Sequence, residues 1–332
     1  ATTATLFSLR FNKDHRYASE IFAISTEPAS GYSSMISNAG DVRNKGVELL
    51  FDFVPVQTRD FRWDLSVNWA KNWSLVKSLP EDIGEKLQLD GYSTNQAKDV
   101  VYMYAEVGKP FGTYWTYVPT YTDDGKVIVD ENGYIVMSDE LQSTGYDVNY
   151  KWTGGLTTSF TYKNVSLSAS LDVRKGGKMF SRSKNIMSFT GNGPITTYND
   201  RQPFIIPNSV VDNGDGTYSE NTTPIYLADS SFQTYLDNYG GDQGRLFYFI
   251  DRDFVKVRNI SISYNLPKKW TGPFKAIGVS AFVNNAFIWT AKNNIYIDPE
   301  STNQGTDTDG LFGETYVNPS CRIYGFNLNV KF

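Results

Sequence analysis

The chain has 332 residues and a formal net charge of −5, so it lacks the basic surplus that nucleic-acid-binding proteins usually carry. Aromatic residues make up 15% of the sequence and 27 glycines accompany them, a composition that favours strands and turns. A run of about 18 apolar residues is absent, which excludes a transmembrane helix but not a membrane-spanning strand, whose average hydropathy stays low.

The chain opens on "ATTATLFSLRF", which has the pattern of a strand rather than of a targeting segment. It lacks a basic first part and a cleavage site, so it is not a signal peptide. We expect that Ala1 is not the start of the natural polypeptide.

Alternation of apolar and polar residues recurs along the whole chain, whereas helical periodicity is almost absent. In 61–69, every second residue from Phe61 to Trp69 is apolar, and 165–174 alternates in the same way from Val165. Most of the predicted strands span about ten residues or more, the length that a tilted strand needs to cross a bilayer. The predicted strands are 2–13, 42–54, 61–74, 98–107, 111–121, 150–162, 165–175, 253–266, 276–289 and 321–332.

One predicted strand changes phase within its length. Val255 and Val257 have one parity, whereas Ile260 and Ile262 have the other. A β-bulge near Arg258 would insert one residue and account for the change.

The connections between the predicted strands alternate between short and long. Those after 54, 107, 162 and 266 are short, and those after 13, 74, 121, 175 and 289 are long. Outer-membrane barrels have this asymmetry, with tight periplasmic turns and long external loops. The sequence therefore predicts an all-β fold, an antiparallel up-and-down transmembrane β-barrel. A soluble antiparallel sandwich or a lectin-like jelly roll would also alternate, but strand length and the connections favour the barrel.

The chain ends on "YGFNLNVKF", a strand with two distinct faces. Its apolar face consists of Tyr324, Phe326, Leu328, Val330 and Phe332. Termini usually fray and carry polar residues, so an apolar face that reaches the last residue indicates a structural strand. We expect Phe326 and Leu328 to face lipid and Asn327 and Asn329 to face the interior.

Several stretches resemble the C-terminal part of SusC-like TonB-dependent outer-membrane transporters. They are "GDVRNKGVEL" at 40–49, "KWTGGLTTSFTYKN" at 151–164, "RQPFIIPNSV" at 201–210, "DFVKVRNISISYNLP" at 253–267 and "VSAFVNNAFIWTAKNNIYIDPES" at 279–301. The resemblance extends from about residue 30 to the end of the chain. It implies that residues 1–332 are the C-terminal portion of a receptor barrel of roughly 22 strands. About ten strands would belong to this chain, and the plug domain and the N-terminal strands would be absent from it.

The resemblance also implies a function and a set of partners. The protein would import glycans or oligopeptides across a Gram-negative, Bacteroidetes-like outer membrane, in contact with membrane lipids. A SusD-like surface lipoprotein would cover its outside, and TonB would act through the missing plug. The terminal strand would be the signal that the barrel-assembly machinery recognises. The alternative is a stand-alone small outer-membrane barrel, a porin or an adhesin.

Enzyme chemistry has little support in the sequence, and we predict neither a cofactor nor a metal site. His15 is the single histidine, which excludes a multi-histidine metal site. Cys321 is predicted to be a small buried residue rather than a nucleophile. The stretch 212–221 is rich in Asp and Gly, but Thr223 stands where a calcium loop requires Glu, so we predict a hairpin tip.

The connection 176–252 is far longer than the roughly 12–15 residues above which structureless loops are uncommon. It holds Phe204 and Ile205, and further along Tyr235 and Tyr239. We predict that these four residues face a substrate or a partner, and that the loop docks on the lid lipoprotein or on the barrel mouth beneath it. The alternative is that they pack within the loop itself.

Overall fold

A computed structural model describes residues 5–18, 21–25, 34–38, 40–93, 98, 100–225, 241–302, 311–314 and 317–332. The strands are β1 (Thr5–Ala18), β2 (Ile21–Ser25), β3 (Ser34–Asn38), β4 (Asp41–Gln57), β5 (Phe61–Ser78), β6 (Lys86–Ser93), β7 (Val100–Glu106), β8 (Thr113–Thr116), β9 (Val127–Val129), β10 (Gln142–Asp147), β11 (Trp152–Tyr162), β12 (Val165–Lys175), β13 (Lys178–Ser181), β14 (Ser209–Asp212), β15 (Tyr218–Glu220), β16 (Phe249–Asp251), β17 (Phe254–Asn265), β18 (Ala276–Thr290), β19 (Gly313–Glu314) and β20 (Ile323–Lys331).

Helical structure is confined to short segments of the described chain. The α-helix α1 covers Arg182–Phe189. Its N-cap is Ser181, whose side-chain oxygen accepts a hydrogen bond from the backbone N–H of Lys184. The 3-10 helices are Pro194–Arg201, Gly241–Tyr248 and Lys268–Trp270. No helix among the described residues has both the length and the apolar character needed to cross a membrane.

Eight long strands form one antiparallel sheet in the order β1-β4-β5-β11-β12-β17-β18-β20. We call this sheet the wall. Its strands match eight of the ten predicted strands, and β12 has the predicted bounds. Strands β1 and β20 are the outer members of this order. The closed barrel of roughly 22 strands therefore remains a prediction.

Two of the ten predicted strands lie outside the wall, which corrects the predicted count of about ten barrel strands. The segments 98–107 and 111–121 contain β7 and β8, and both belong to a separate four-stranded sheet with the order β10-β8-β7-β6. Alternation does not distinguish the two locations, because a strand with one apolar face has the same pattern in any sheet. Strand β7 nevertheless differs from a wall strand in the burial of its central residues.

The alternation of connections is retained in the eight-stranded wall. The connections 58–60, 163–164 and 266–275 are short, whereas 79–151, 176–253 and 291–322 are long. Strand β20 thus follows a long connection and ends on the side of the short ones, as predicted. The two predicted strands that lie outside the wall, 98–107 and 111–121, are consecutive. Leaving both out therefore does not change the direction predicted for any later strand.

The long connections 79–151 and 176–253 fold together, and we call these two segments the cap. In the cap, β9 of the first segment pairs in parallel with β14 of the second. One cluster of buried residues lies beneath this pairing and includes Val129, Ile206 and Ile225. A second cluster joins β7 and β8 to β13 and β16, with Phe312 from the connection before β20. The described parts of the segment 176–252, namely 176–225 and 241–252, are therefore structured rather than a plain loop.

Two local predictions are confirmed by the backbone. The wall register shifts at Arg258, so β17 carries the predicted bulge. Strand β14 pairs with β15 around the turn at Gly214, so 212–221 is a hairpin tip.

Candidate functional site

The wall has one apolar face that continues from β4 to β20. Residues directly opposite each other on antiparallel strands share a face, so the registers identify its members. Apolar pairs of this kind, in sheet order, are Phe51–Val67, Val67–Leu156, Leu156–Leu171, Leu171–Val257, Ile262–Ala281 and Val279–Leu328. No described element covers the β20 end of this face, where Phe326 is 70% exposed and Leu328 is 61% exposed.

The opposite face of the wall is polar over the same strands. Its pairs include Asp52–Ser66, Ser66–Thr157, Thr157–Ser170, Ser168–Ser261, Ser263–Ser280 and Ser280–Asn327. The predicted division of the C-terminal strand is reproduced here: Asn327 lies on the polar face, whereas Leu328 lies on the apolar face. Tyr324 and Phe332 are also exposed, and Val330 is half-buried.

Six charged side chains cluster where the polar face meets the segment 291–302. We call them the anchor cluster: Asp172, Arg174, Lys256, Arg258, Asp298 and Glu300. The first four come from β12 and β17, and the last two come from the segment. Three cations thus meet three anions, which balances the formal charge of the cluster.

Contacts within the anchor cluster fasten the segment 291–302 to the wall. The Lys256 Nζ lies 2.5 Å from an Asp298 oxygen and 2.8 Å from a Glu300 oxygen. Arg258 binds Glu300 with two guanidinium nitrogens, and Arg174 Nη2 lies 2.9 Å from the same carboxylate. Lys256 and Asp298 are almost fully buried, so each depends on the other for charge compensation.

The protonation of Glu300 follows from this surrounding charge. Burial by itself raises the pKa of a carboxyl group, because it disfavours the ionised form. Hydrogen bonds from Arg258 and Lys256 outweigh burial and lower the pKa of Glu300 to about 2. Glu300 therefore keeps its negative charge in mildly acidic solution.

A second buried glutamate has the opposite behaviour. Glu314 accepts hydrogen bonds from the hydroxyl groups of Ser181 and Ser183 and from the Ser183 backbone N–H. Burial raises the pKa of Glu314, and these hydrogen bonds only partly offset the effect. This side chain joins the segment before β20 to the start of α1.

A cavity of about 560 Å³ opens on the polar face between the wall and the cap. It is lined by Gly46, Glu48, Ala70, Lys71, Asn72, Phe111, Val148, Asn149, Tyr150, Trp152, Thr153, Arg174, Arg252, Glu300, Thr302 and Leu311. We call it the polar-face cavity. Its lining mixes aromatic rings, amides and charged groups, which suits a hydrated polar solute better than an apolar one.

The four predicted loop residues are only partly placed by the structure. Phe204 packs against the cluster under β9 and β14, with its ring 4.7 Å from that of Tyr198. Ile205 points outward and is 44% exposed. Tyr235 and Tyr239 lie outside the described residues. The structure thus brings neither Phe204 nor Ile205 to the polar-face cavity, and the role of all four residues remains a prediction.

The structure describes Cys321 in full and His15 through its backbone alone. His15 lies in β1 opposite Asn44. Cys321 is exposed, so the prediction that it is buried was wrong. It precedes β20, an outer strand of the wall whose further side has no described neighbour.

Sequence reasoning missed the anchor cluster and the polar-face cavity. One signal was present, since Lys256 and Arg258 place charges in a strand whose other polar residues are Ser and Asn, and Asp172 and Arg174 do the same in the preceding strand. A charge in such a strand usually needs a partner on the same face. The partner Glu300 lies far along the chain, so the sequence did not identify it.

No protein-family model matches the chain. Curated relatives nevertheless match most of it. It is 23% identical to TonB-dependent receptor P3 of Formosa agariphila, over 91% of this chain and 30% of the relative. It is 25% identical to TonB-dependent receptor SusC of Bacteroides thetaiotaomicron, over 81% of this chain and 25% of the relative. The chain thus spans less than a third of the length of these relatives.

Solved structures share the fold. The RagAB peptide importer in its open-open state superposes with a TM-score of 0.61 at 17% identity, over 99% of this chain and 33% of that chain. Its closed-closed state gives a TM-score of 0.58 at 18% identity, with the same coverage of both chains.

These comparisons confirm the resemblance to SusC-like TonB-dependent transporters. The curated relatives are named receptors and the solved structures are named importers, and none of these names describes an enzyme. This agrees with the prediction that the chain is not an enzyme.

Proposed function

We propose that this chain forms part of the barrel wall and the cap of an outer-membrane importer for glycans or oligopeptides, a SusC-like TonB-dependent transporter. The observation that carries the proposal is the two-faced wall. Its apolar face continues over seven neighbouring strands from β4 to β20, and its polar face carries the anchor cluster and the polar-face cavity. Lipid outside and a polar lumen inside would satisfy both faces.

In this proposal, residues 1–332 are the C-terminal portion of a larger barrel. No described strand pairs with the outer edges of β1 and β20, and further strands would pair with them, because unpaired backbone groups are costly in lipid. The relatives are about three times as long as this chain, which supports a longer whole protein. The plug and the TonB-contacting segment would belong to the part outside this chain.

The cap would face the outside and contact a SusD-like lipoprotein. Parity supports this placement, because both cap segments are long connections on the side opposite the short turns. The subdomain that holds β9 and β14 presents exposed apolar side chains, namely Tyr121, Val136, Tyr198, Ile205 and Tyr218. Apolar surface of this kind is typical of a protein interface.

The terminal strand would serve assembly as well as packing. Tyr324, Phe326, Leu328, Val330 and Phe332 form its apolar face, and β20 is an outer strand of the wall. The barrel-assembly machinery would bind this strand before it pairs with the first strand of the whole barrel.

Uptake measurements in cells with and without TonB test the proposed function. The whole protein is produced in the outer membrane, and uptake is followed for labelled oligosaccharides and labelled oligopeptides. We expect uptake of one class that is abolished when TonB is absent, because passage past a plug requires energy. Uptake that continues at the same rate without TonB would instead support the stand-alone porin.

A further inference from the structure

Arg252 lies between β16 and β17 and lines the polar-face cavity. Only 6% of its surface is exposed. A buried guanidinium normally has an anionic partner, because removing a charge from water is costly unless it is paired. The surroundings of Arg252 therefore indicate what the cavity holds.

Only one of the three side-chain nitrogens of Arg252 has an acceptor among the described residues. Its Nη1 donates to the backbone oxygen of Val148 at 3.3 Å. Its Nε is buried without a hydrogen-bond partner. The guanidinium carbon lies 5.0 Å from the centre of the Tyr150 ring, which orients the plane of the group but supplies no charge. Neither Nε nor Nη2 therefore has an acceptor among the described residues, and the edge that they form matches the two oxygens of a carboxylate.

Nearby carboxylates are engaged elsewhere. Asp251 lies 2.5 Å from Lys178, and Asp253 binds Lys175. Glu300, which also lines the cavity, binds Arg174 and the rest of the anchor cluster. Glu48 lies on β4, four strands from β17 in the order of the wall. None of the described carboxylates lies within ion-pair distance of Arg252.

We infer that the polar-face cavity is a carboxylate-binding site and that Arg252 is the residue that holds the carboxylate. The inference rests on the proposed function, which places the cavity on the path of a transported solute. Two sources supply the same chemistry: a carboxylate of the solute, such as a peptide C-terminus or a uronic acid, or a carboxylate of the polypeptide outside the described residues.

Matched pairs of ligands test the first source. The whole protein is purified in detergent, and its affinity is measured by calorimetry for a tripeptide acid against its amide and for an oligogalacturonide against its methyl ester. For at least one pair we expect the free acid to bind about tenfold more tightly, the size of one charge-assisted contact. Arg252→Gln should equalise the pair. The control is Arg62→Gln, at the start of β5 and outside the cavity lining, and this variant should retain the preference for the free acid.

Thermal unfolding tests the second source. If the polypeptide supplies the carboxylate, neither ligand pair is discriminated, but Arg252→Gln lowers the melting midpoint at neutral pH. That difference should disappear below about pH 4, where carboxylates become protonated. A packing role for Arg252 would leave the difference unchanged with pH.

The inference is overturned if no pair is discriminated and the effect of Arg252→Gln on the midpoint is absent or independent of pH. Either result leaves TonB-dependent uptake by the wild-type protein untouched. Failure of this site is therefore distinguishable from failure of the proposed function.

Discussion

Strands of the wall and of the cap have the same alternation of apolar and polar residues, but they differ in how far their apolar side chains are buried. In β20 of the wall, Leu328 remains largely exposed. In β7 of the cap, Val101 and Met103 are fully buried against β13 and β16. Alternation with a period of two thus identifies a strand, but it does not identify what covers its apolar face.

This difference separates two sources of stability. The cap contains its own buried clusters and can be destabilised by removing a ring from one of them. The wall exposes its apolar face and depends on the medium that covers it. Substitutions in the two regions should therefore fail in different ways, and four predictions test this.

The largest effect should come from the cap core. Phe180 is buried, and its ring lies 5.1 Å from that of Tyr92 and 5.8 Å from that of Phe312. Phe180→Ala should destabilise the cap by about 3–5 kcal/mol through lost burial and a cavity. Hydrogen exchange should show faster opening of β7 and β8 but unchanged protection of β11 and β12. The control Phe189→Ala removes an exposed ring and should have little effect.

The next effect should come from the apolar face of the wall. Leu328→Arg places a charge on that face and should cost about 2–4 kcal/mol if the strand lies in a bilayer. Asn327→Arg, one residue away on the polar face, is the matched control and should be mild. The amount of protein in the outer membrane measures both variants. Equal losses would contradict the assignment of faces and remove the contrast with the cap.

A smaller effect should come from the anchor cluster, where the wall holds a connecting segment. Glu300→Gln removes the anion shared by Arg174, Lys256 and Arg258 but leaves Lys256 paired with Asp298. We expect a loss of about 1–3 kcal/mol, as for other hydrogen bonds between charged groups. Faster proteolysis within 291–302 would report it. Glu131→Gln, at an exposed turn, is the control, and an equal effect there would exclude a specific role for the cluster.

The smallest effect should be the pH dependence of the two buried glutamates. The pKa of Glu300 is lowered to about 2, so its stabilising contribution is complete above about pH 4.5 and is lost as the pH falls towards 2. The pKa of Glu314 is raised, so the folded state takes up its proton first and gains stability as the pH falls through that raised pKa.

Unfolding measured against pH in each Glu→Gln variant separates these two contributions. The difference in the free energy of unfolding between wild type and Glu300→Gln should shrink as the pH falls from about 4.5 towards 2. For Glu314→Gln, the free energy of unfolding of wild type should rise relative to that of the variant as the pH falls through the raised pKa of Glu314. Identical profiles for the two variants would show that their surroundings do not differ as described.

Much of the wall could be predicted from sequence, because each of its strands is long and alternates cleanly. Segment 165–175 was located to the residue, and the phase change in 254–266 located the bulge at Arg258. Segments 98–107 and 111–121 were identified as strands but assigned to the wrong sheet. Their burial comes from β13 and β16, which lie much later in the chain, and no local pattern contains that information.

The site was predicted less completely than the fold. The C-terminal residues Phe326 and Leu328 lie on the predicted face, since strand geometry alone determines the face of each residue. The packing of Phe204 inside the cap was left open, because the sequence did not show that 117–138 folds against 194–225. The charges of the anchor cluster come from three separate segments that only folding brings together.

The sequence by itself determined that the chain forms strands, which residues share a face and on which side the chain ends, because these depend on local periodicity and on the parity of the connections. The tertiary structure alone decided which strands join the wall, how the two long connections build a cap, and which charges meet. Those outcomes depend on contacts between residues far apart in the chain. Arg252 is the clearest case: nothing in its neighbourhood in sequence shows that it is buried beside a cavity and has no anionic partner among the described residues.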